Sequence, residues 1–264
     1  MKLRAGFLQF QPVFGEIGQN VRAIETLLRE KGFDLMVLPE LCSTGYQFMA
    51  REEALSLSEP ANGELGQALL ALAREKQGVI VAGFAERHGD EIFNSAMAVG
   101  PSGLLSVYRK AHLFFKEKEF FSPGDSPFVP VDTGLGYRLG IMICFDWIFP
   151  EAVRSLSLGG AAVIAHPANL VLPWCQRAMF ARAVENRIFV ITANRFGTES
   201  RDPESLLTFT GGSQIMGPDG ELRAQAGLSE MVAMIREIDL SASNQQLNPT
   251  NHLFKDRRPG LYRL

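Results

Sequence analysis

An α/β fold, with two mixed sheets packed face to face and helices outside, is what the sequence predicts from three observations. Strand-length apolar runs alternate with helix-length segments that are apolar on one side only. The runs are apolar towards both faces, as strands covered on two sides must be. The order strand, helix, strand, helix, strand, hairpin occurs twice, closed by Gly100-Pro101-Ser102-Gly103 and again by Gly217-Pro218-Asp219-Gly220. The halves share little sequence identity, so what repeats is the order of elements.

Leu3 to Phe10 reads as the first strand. Asn20 to Glu30 sets Val21, Ile24, Leu27 and Leu28 on one helical face, and Gly32 ends the helix. Leu35 to Leu38 is a strand closed by Pro39-Glu40, Gly63 to Gln77 a helix with Leu65, Leu69, Leu72 and Ala73 inward, and Val79 to Phe84 a buried strand. Asn94 to Val99 and Leu104 to Arg109 flank the first hairpin turn. The second half follows with strand Arg138 to Ile143, helix Glu151 to Leu158, strand Ala162 to Ala165, helix Gln176 to Asn186 and strand Phe189 to Asn194. Gly212 to Met216 enters the second hairpin turn, and Met231 to Ile238 is a late strand. Residues 241 to 264 are polar and irregular, then end in Phe254-Lys255-Asp256-Arg257-Arg258-Pro259-Gly260-Leu261-Tyr262, which reads either as a loose tail or as an arm packing on a second subunit.

Composition narrows the function. The 264 residues, 46% of them hydrophobic, suffice for one large core and are read as one domain. A net charge of -3, with no basic run interleaved with aromatics, excludes a nucleic-acid partner. The longest apolar runs, Val79 to Phe84 and Leu139 to Phe145, are far short of the roughly 20 residues of a membrane helix, and Gln9 and Gln11 interrupt any leader. Three cysteines, Cys42, Cys144 and Cys175, give neither a disulfide framework nor metal-ligand spacing, which fits a reducing cytoplasm.

One cysteine stands apart. Leu139 to Ile143 is a buried strand and Pro150-Glu151 opens a helix, so Cys144 sits on a strand-to-helix turn facing a crevice at a strand's carboxyl end. Backbone N–H groups at such a turn can stabilise developing negative charge. A free cysteine is also a common small hydrophobe, so partners must decide between the readings. A nucleophilic thiol needs a base and a cation. Glu40, just past Val37-Leu38-Pro39, is a candidate base whose burial would raise its pKa, or else a helix cap. Lys110 ends the hairpin strand and is either the cation or a solvated surface charge. In the alternating run Lys116-Glu117-Lys118-Glu119, Glu117 is the exception to an exposed charged segment.

Several stretches together resemble the nitrilase superfamily, the carbon-nitrogen hydrolases, over essentially the whole chain. They are Leu38-Pro39-Glu40, Tyr108-Arg109-Lys110-Ala111-His112-Leu113-Phe114, Glu117 ahead of Pro123-Gly124-Asp125, Cys144-Phe145-Asp146 with Phe149-Pro150-Glu151, Arg182 to Arg187, and Phe254 to Arg258. The resemblance implies a four-layer α-β-β-α sandwich with an internal pseudo-twofold, spanning 1–264 as one domain with 241–264 as a C-terminal arm. It implies a homodimer or larger assembly, with Arg182 to Arg187 near the interface and the arm crossing to the partner. It implies Glu40 as general base, Lys110 as oxyanion stabiliser with the backbone N–H of Phe145, Cys144 as nucleophile, and Glu117 positioning substrate and Lys110. No metal or organic cofactor is implied.

The same resemblance bears on substrate. Cys-x-Asp at the nucleophile is similar to amidases and N-carbamoyl-amine hydrolases, whereas true nitrilases tend to carry Glu where Asp146 stands. Trp147 replaces an arginine frequent in other branches, which argues against an arginine-clamped carboxylate substrate. The expected substrate is therefore a small amide or N-carbamoyl amine, with a nitrile as the alternative. Tyr46, Trp147, Asn169 and Trp174 are the expected pocket residues, with Trp174 alternatively an interface or core aromatic. A Cys-His hydrolase using His112 or His166 is a rival enzyme reading, and a non-catalytic binding protein on the same fold is the rival of another class.

Overall fold

The computed structural model describes residues 1–202 and 205–262. Its first half runs β1 (Lys2–Gln9), α1 (Ile17–Leu28), β2 (Leu35–Val37), α2 (Arg51–Leu57), α3 (Glu64–Lys76), β3 (Val79–His88), β4 (Glu91–Gly100) and β5 (Gly103–Arg109). After α4 (Glu117–Phe120) come β6 (Val131–Asp132), β7 (Arg138–Ile141), a 3-10 turn (Cys144–Ile148), α5 (Pro150–Leu158), β8 (Val163–Ala168), α6 (Cys175–Asn186) and β9 (Phe189–Asn194). A hairpin, β10 (Phe196–Asp202) and β11 (Ser205–Thr210), precedes β12 (Gln214–Met216), β13 (Leu222–Gln225) and β14 (Val232–Asp239).

Two six-stranded sheets form, ordered β14-β1-β2-β3-β4-β5 and β6-β7-β8-β9-β12-β13. In each, three central strands are parallel and the flanking pairs antiparallel. Strand order and sense therefore match position by position, which is the repeat expected from the sequence. The two-layer reading also holds. Ala5, Phe7, Leu35, Val37, Val79 and Val81 pack in one core with Leu139, Ile141, Val163 and Ala165 of the other sheet. Their neighbours Leu8, Met36, Leu38, Ile80 and Ala82 point the opposite way, onto Val21, Ile24 and Leu28 of α1 and Leu65, Leu69 and Leu72 of α3. Successive strand residues face opposite sides, so a strand buried twice must be apolar at every position. Each such side chain contributes about 1.5–3 kcal/mol by leaving water.

The structure departs from the sequence reading in three places. Strand β3 continues to His88 and meets β4 from Glu91, a hairpin earlier than the expected one, because ladder hydrogen bonds continue after the apolar pattern stops at exposed Arg87 and His88. The late strand, β14, joins the first sheet beside β1. The short helices α2 and α4 and the polar β10–β11 hairpin carry too little apolar periodicity to be seen. The segment after β14 is folded back on itself: Asn248 Oδ1 accepts from the Thr250 and Asn251 N–H groups, Gln246 bridges His252, and Arg154 lies 5.4 Å from the Phe254 ring centroid. Its Leu261 and Tyr262 remain exposed, and residues 263–264 of the expected arm lie outside the described residues. No helix among the described residues is long and apolar enough to cross a membrane.

One half-buried ion pair links β3 to β5. Glu86 accepts from Arg109 Nε (2.9 Å) and Nη2 (2.7 Å) and from Ser95 Oγ (2.6 Å). Burial pushes the Glu86 carboxyl up, but Arg109 and Ser95 outweigh it and hold it below its ordinary 4.5. The pair's contribution is thus complete above the unfolded value and disappears as pH falls through the lower folded one. Glu86→Gln is expected to cost about 1.5–3 kcal/mol of unfolding free energy at pH 7. Urea titrations of both proteins should show that gap closing as the pH is taken below 4.5.

Candidate active site

Glu40 stands just beyond β2, and its backbone is held by β3. Gly83 N–H donates to Pro39 O (3.1 Å) and Cys42 N–H to Gly83 O (2.9 Å). A Cβ on Gly83 would lie 2.4 Å from the Glu40 Cα, so only glycine permits this approach. Leu41 follows at φ 47°, turning the chain sharply away from the carboxylate. Lys110 leaves β5 with its N–H on Asn94 O (2.8 Å), while Gly124 N–H reaches the Lys110 carbonyl (2.9 Å). A Cβ at Gly124 would lie 2.2 Å from Arg109 O, which explains the glycine of Pro123-Gly124-Asp125. Glu117 opens α4, and its Oε2 accepts from the Phe114 N–H (3.2 Å). Its neighbours Lys118 and Glu119 are exposed, whereas Glu117 is buried.

Cys144 occupies the turn after β7 at φ 40°, in a left-handed conformation that costs a non-glycine residue of order 1–3 kcal/mol. Asp146 supports that turn. Its Oδ2 accepts from the Ile143 N–H (2.9 Å) and the Tyr108 hydroxyl (2.7 Å), and its Oδ1 contacts the His112 N–H (3.2 Å) and Nδ1 (2.7 Å). The Cys144 turn is thereby tied to residues on both sides of Lys110.

The charged groups meet in the interior. Lys110 Nζ donates to Glu40 Oε1 (2.7 Å) and to Glu117 Oε1 (2.9 Å) and Oε2 (2.8 Å). Asn94 Nδ2 also donates to Glu40 Oε1 (2.7 Å), and the Tyr46 hydroxyl to Glu117 Oε1 (2.7 Å). Lys110 and Glu40 are wholly buried. Burial alone would lower the Lys110 pKa, but the Glu117 and Glu40 carboxylates outweigh it and keep the ammonium charged. Burial, with the Glu117 charge, raises the Glu40 carboxyl against the pull of Lys110. Burial and the Glu40 charge likewise raise the Cys144 thiol, so it rests protonated. Glu40 Oε2 has no hydrogen-bond partner among the described residues, leaving one carboxylate oxygen open as an acceptor.

Neither histidine is placed as a base for the thiol. His166 Nε2 lies 3.0 Å from the Cys144 carbonyl and Nδ1 3.0 Å from Thr192 Oγ1, and burial lowers its pKa to about 4. Both ring nitrogens are occupied and the ring is neutral at pH 7. His112 bonds Asp146 and stacks on Phe149 at 3.7 Å.

Cys144, Phe145, Trp147 and Asn169 line one narrow cleft of about 10 Å³, together with apolar side chains including Phe114 and Leu170. Asn169 Nδ2 donates to the Glu40 carbonyl (2.9 Å), and its Oδ1 has no partner among the described residues. Tyr46 does not line that cleft and lines another with Glu117, of about 30 Å³. Trp174 is not brought to either: it precedes α6 with 57% of its surface exposed. Asn94 and Gly83 were not foreseen. A polar residue inside the run Ile92-Phe93-Asn94-Ser95-Ala96-Met97 is a signal that could have found Asn94, since a buried amide needs a partner.

The close approach of Gly83 makes a test of how tightly Glu40 must be held. Gly83→Ala is expected to leave a folded protein by near-UV circular dichroism while lowering kcat/KM by about 10²-fold, the effect of a displacement near 1 Å.

Comparison with known proteins agrees with this geometry. The family model described as Carbon-nitrogen hydrolase matches residues 4–246. The chain is 44% identical to a protein of Pyrococcus abyssi named nitrilase, over 98% of this chain and 99% of that one. It is 36% identical to an (R)-stereoselective amidase of a Pseudomonas species, over 92% and 85% respectively. Among solved structures, a carbon-nitrogen hydrolase from Helicobacter pylori superposes with a TM-score of 0.86 at 27% identity, covering 99% of this chain and 97% of that one. On the family match, the relatives and the shared fold together, the chain belongs to the carbon-nitrogen hydrolases of the nitrilase superfamily.

Proposed function

We propose that the protein hydrolyses the carbon-nitrogen bond of a small, uncharged amide or N-carbamoyl amine through a Cys144 thioester. The observation that carries this reading is the open Oε2 of a buried carboxylate, Glu40, whose charge acts on the Cys144 thiol while its other oxygen is held by Lys110 and Asn94. Glu40 takes the thiol proton as sulfur attacks the carbonyl carbon. Lys110 and the Phe145 N–H hold the oxyanion. The tetrahedral intermediate collapses, the C–N bond breaks, and the proton on Glu40 passes to the departing ammonia or amine. Water, deprotonated by Glu40, then attacks the thioester carbon; the acid leaves and the proton returns to sulfur. Glu117 orients Lys110 and the substrate.

The substrate class follows from the wall chemistry. The Cys144 cleft offers Asn169 as its polar side chain and aromatic or aliphatic groups elsewhere, with no charged group among its described lining residues to pair a carboxylate. Walls of this chemistry suit an apolar acyl group. A nitrile is the second reading, favoured by the name of the 44% identical relative. We place the enzyme in the cytoplasm, where its three free cysteines stay reduced, and read 1–264 as one domain that assembles as a homodimer through its C-terminal arm.

Ammonia release from simple amides, N-carbamoyl amines and aliphatic nitriles tests the chemistry. Turnover should favour one class and fall by at least about 10³-fold in Cys144→Ala. Equal turnover in the variant would overturn the reading. With Glu40 ionised as base and its pKa raised, the acid limb of kcat/KM should have its midpoint above 4.5. Deletion from Asn251 onward is expected to shift sedimentation to a smaller species, and an unchanged profile would leave the segment a folded-back tail of one subunit.

A further inference from the structure

The loop that begins at Glu40 returns to the same charged cluster at Tyr46, and what holds it comes from the other half of the chain. Glu199, on β10, is buried. Its Oε2 accepts from the Gln47 N–H (2.7 Å) and the Tyr46 N–H (3.1 Å), with Oε1 3.3 Å from the latter. A Cβ on Gly45, which has φ 82°, would lie 3.0 Å from that carboxylate, so the loop is shaped to receive it. The charge is matched by Arg195, fully buried, whose guanidinium pairs with Glu199 and lies 4.1 Å from the Phe209 ring centroid. Phe209 meets the Tyr46 ring edge-on at 5.8 Å. Gln47 is gripped again by the same hairpin, donating to Ser205 O (2.8 Å) and accepting from the Arg201 N–H (2.8 Å).

We propose that Glu199 is a positioning residue for hydrolysis, fixing Tyr46 through its backbone so that the Tyr46 hydroxyl holds Glu117, and Glu117 in turn holds Lys110. This rests on the reading of Lys110 and Cys144 given above. The chemistry of the chain supports it. Glu117 Oε1 is shared between the Tyr46 hydroxyl at 2.7 Å and Lys110 at 2.9 Å while Oε2 rests on the Phe114 N–H, so loss of the first bond lets the carboxylate pivot about Oε2 and carry the ammonium with it. The ammonium's interaction with an oxyanion exists only once the carbonyl has been attacked. Misplacing it therefore lowers kcat and leaves KM nearly constant. Glu199 stands on a hairpin that makes no part of either six-stranded sheet, and the two backbone N–H groups that donate to it, of Tyr46 and Gln47, lie on the loop after Glu40.

A double-mutant cycle decides the matter. Glu199→Gln and Tyr46→Phe are each expected to lower kcat by about 10-fold with KM changed less than about 2-fold, and the double variant to be no slower than the slower single one. Multiplication of the two effects would overturn the proposal, as would a wild-type kcat in Glu199→Gln. So would a loss in kcat matched by the unfolded fraction in circular dichroism. If Glu199→Gln does not fold, Arg195→Met with Glu199→Leu removes both buried charges together, a change that buried pairs tolerate. The same fall in kcat is then expected, and an undiminished kcat again overturns the proposal. Cys144→Ala run in parallel separates the two readings: surviving turnover there defeats the thioester mechanism, whereas its loss with normal turnover in Glu199→Gln defeats only the positioning role.

Discussion

A lysine ammonium wholly buried between two carboxylates is the constraint on which the rest of this structure depends. Lysine is almost never fully buried without a partner, because an uncompensated charge in a low-dielectric interior is prohibitive. Here Glu40 and Glu117 together outweigh the desolvation of Lys110. Two carboxylates with one ammonium leave a net negative charge inside the protein. The Asn94 amide, the Tyr46 hydroxyl and the Phe114 N–H spread it over neutral donors. Five chain segments must therefore converge on one point: the ends of β2 and β5, the start of α4, the body of β4 and the loop after Glu40. Without any one of them a buried charge loses its partner.

Backbone irregularity is concentrated where these segments meet. Leu41, Phe115 and Cys144 all have positive φ, and each lies within two residues of Glu40 or Glu117 or on the turn after β7. Such conformations persist only when the surroundings over-determine them. The surroundings here are two sheets buried on both faces, with Gly83 and Gly124 admitting close backbone contact where a Cβ would collide. Asp146 joins the two halves of this arrangement, because one carboxylate binds both the Cys144 turn and the residues flanking Lys110.

The internal repeat explains why such a site exists at all. Glu40 and Lys110 follow strands of the first sheet, and Cys144 follows β7 of the second. Parallel strands of a mixed sheet end in crevices that loops can furnish. When two such sheets pack through a shared apolar core, the crevice of one faces the crevice of the other. Cys144 and Glu40 are thus brought near each other by burial of Phe7, Val37, Val81, Ile141 and Ala165, none of which carries a polar side chain. The exchange of β14 into the first sheet and the reach of the β10–β11 hairpin onto the Tyr46 loop bind the halves further.

Much of this was legible in the residues themselves, for identifiable reasons. Apolar runs such as Val79 to Phe84 must be strands covered on both sides, and amphipathic segments such as Asn20 to Glu30 must be helices, because burial energy acts on periodicity that a sequence displays directly. Cys144, Glu40 and Lys110 were visible because each interrupts or ends such a run. The partners of those residues were not visible. Asn94, Gly83 and Glu199 owe their importance to contacts across 54, 43 and about 150 positions of chain, which no local pattern encodes. Trp174, expected in the pocket or else at an interface or in the core, stands exposed just before α6. The sequence by itself determined which segments are strands and helices and which residue types stand at their ends. Tertiary structure alone decided which of those ends meet, since only the packing of one sheet on the other sets the distance between a thiol and a carboxylate 104 residues apart.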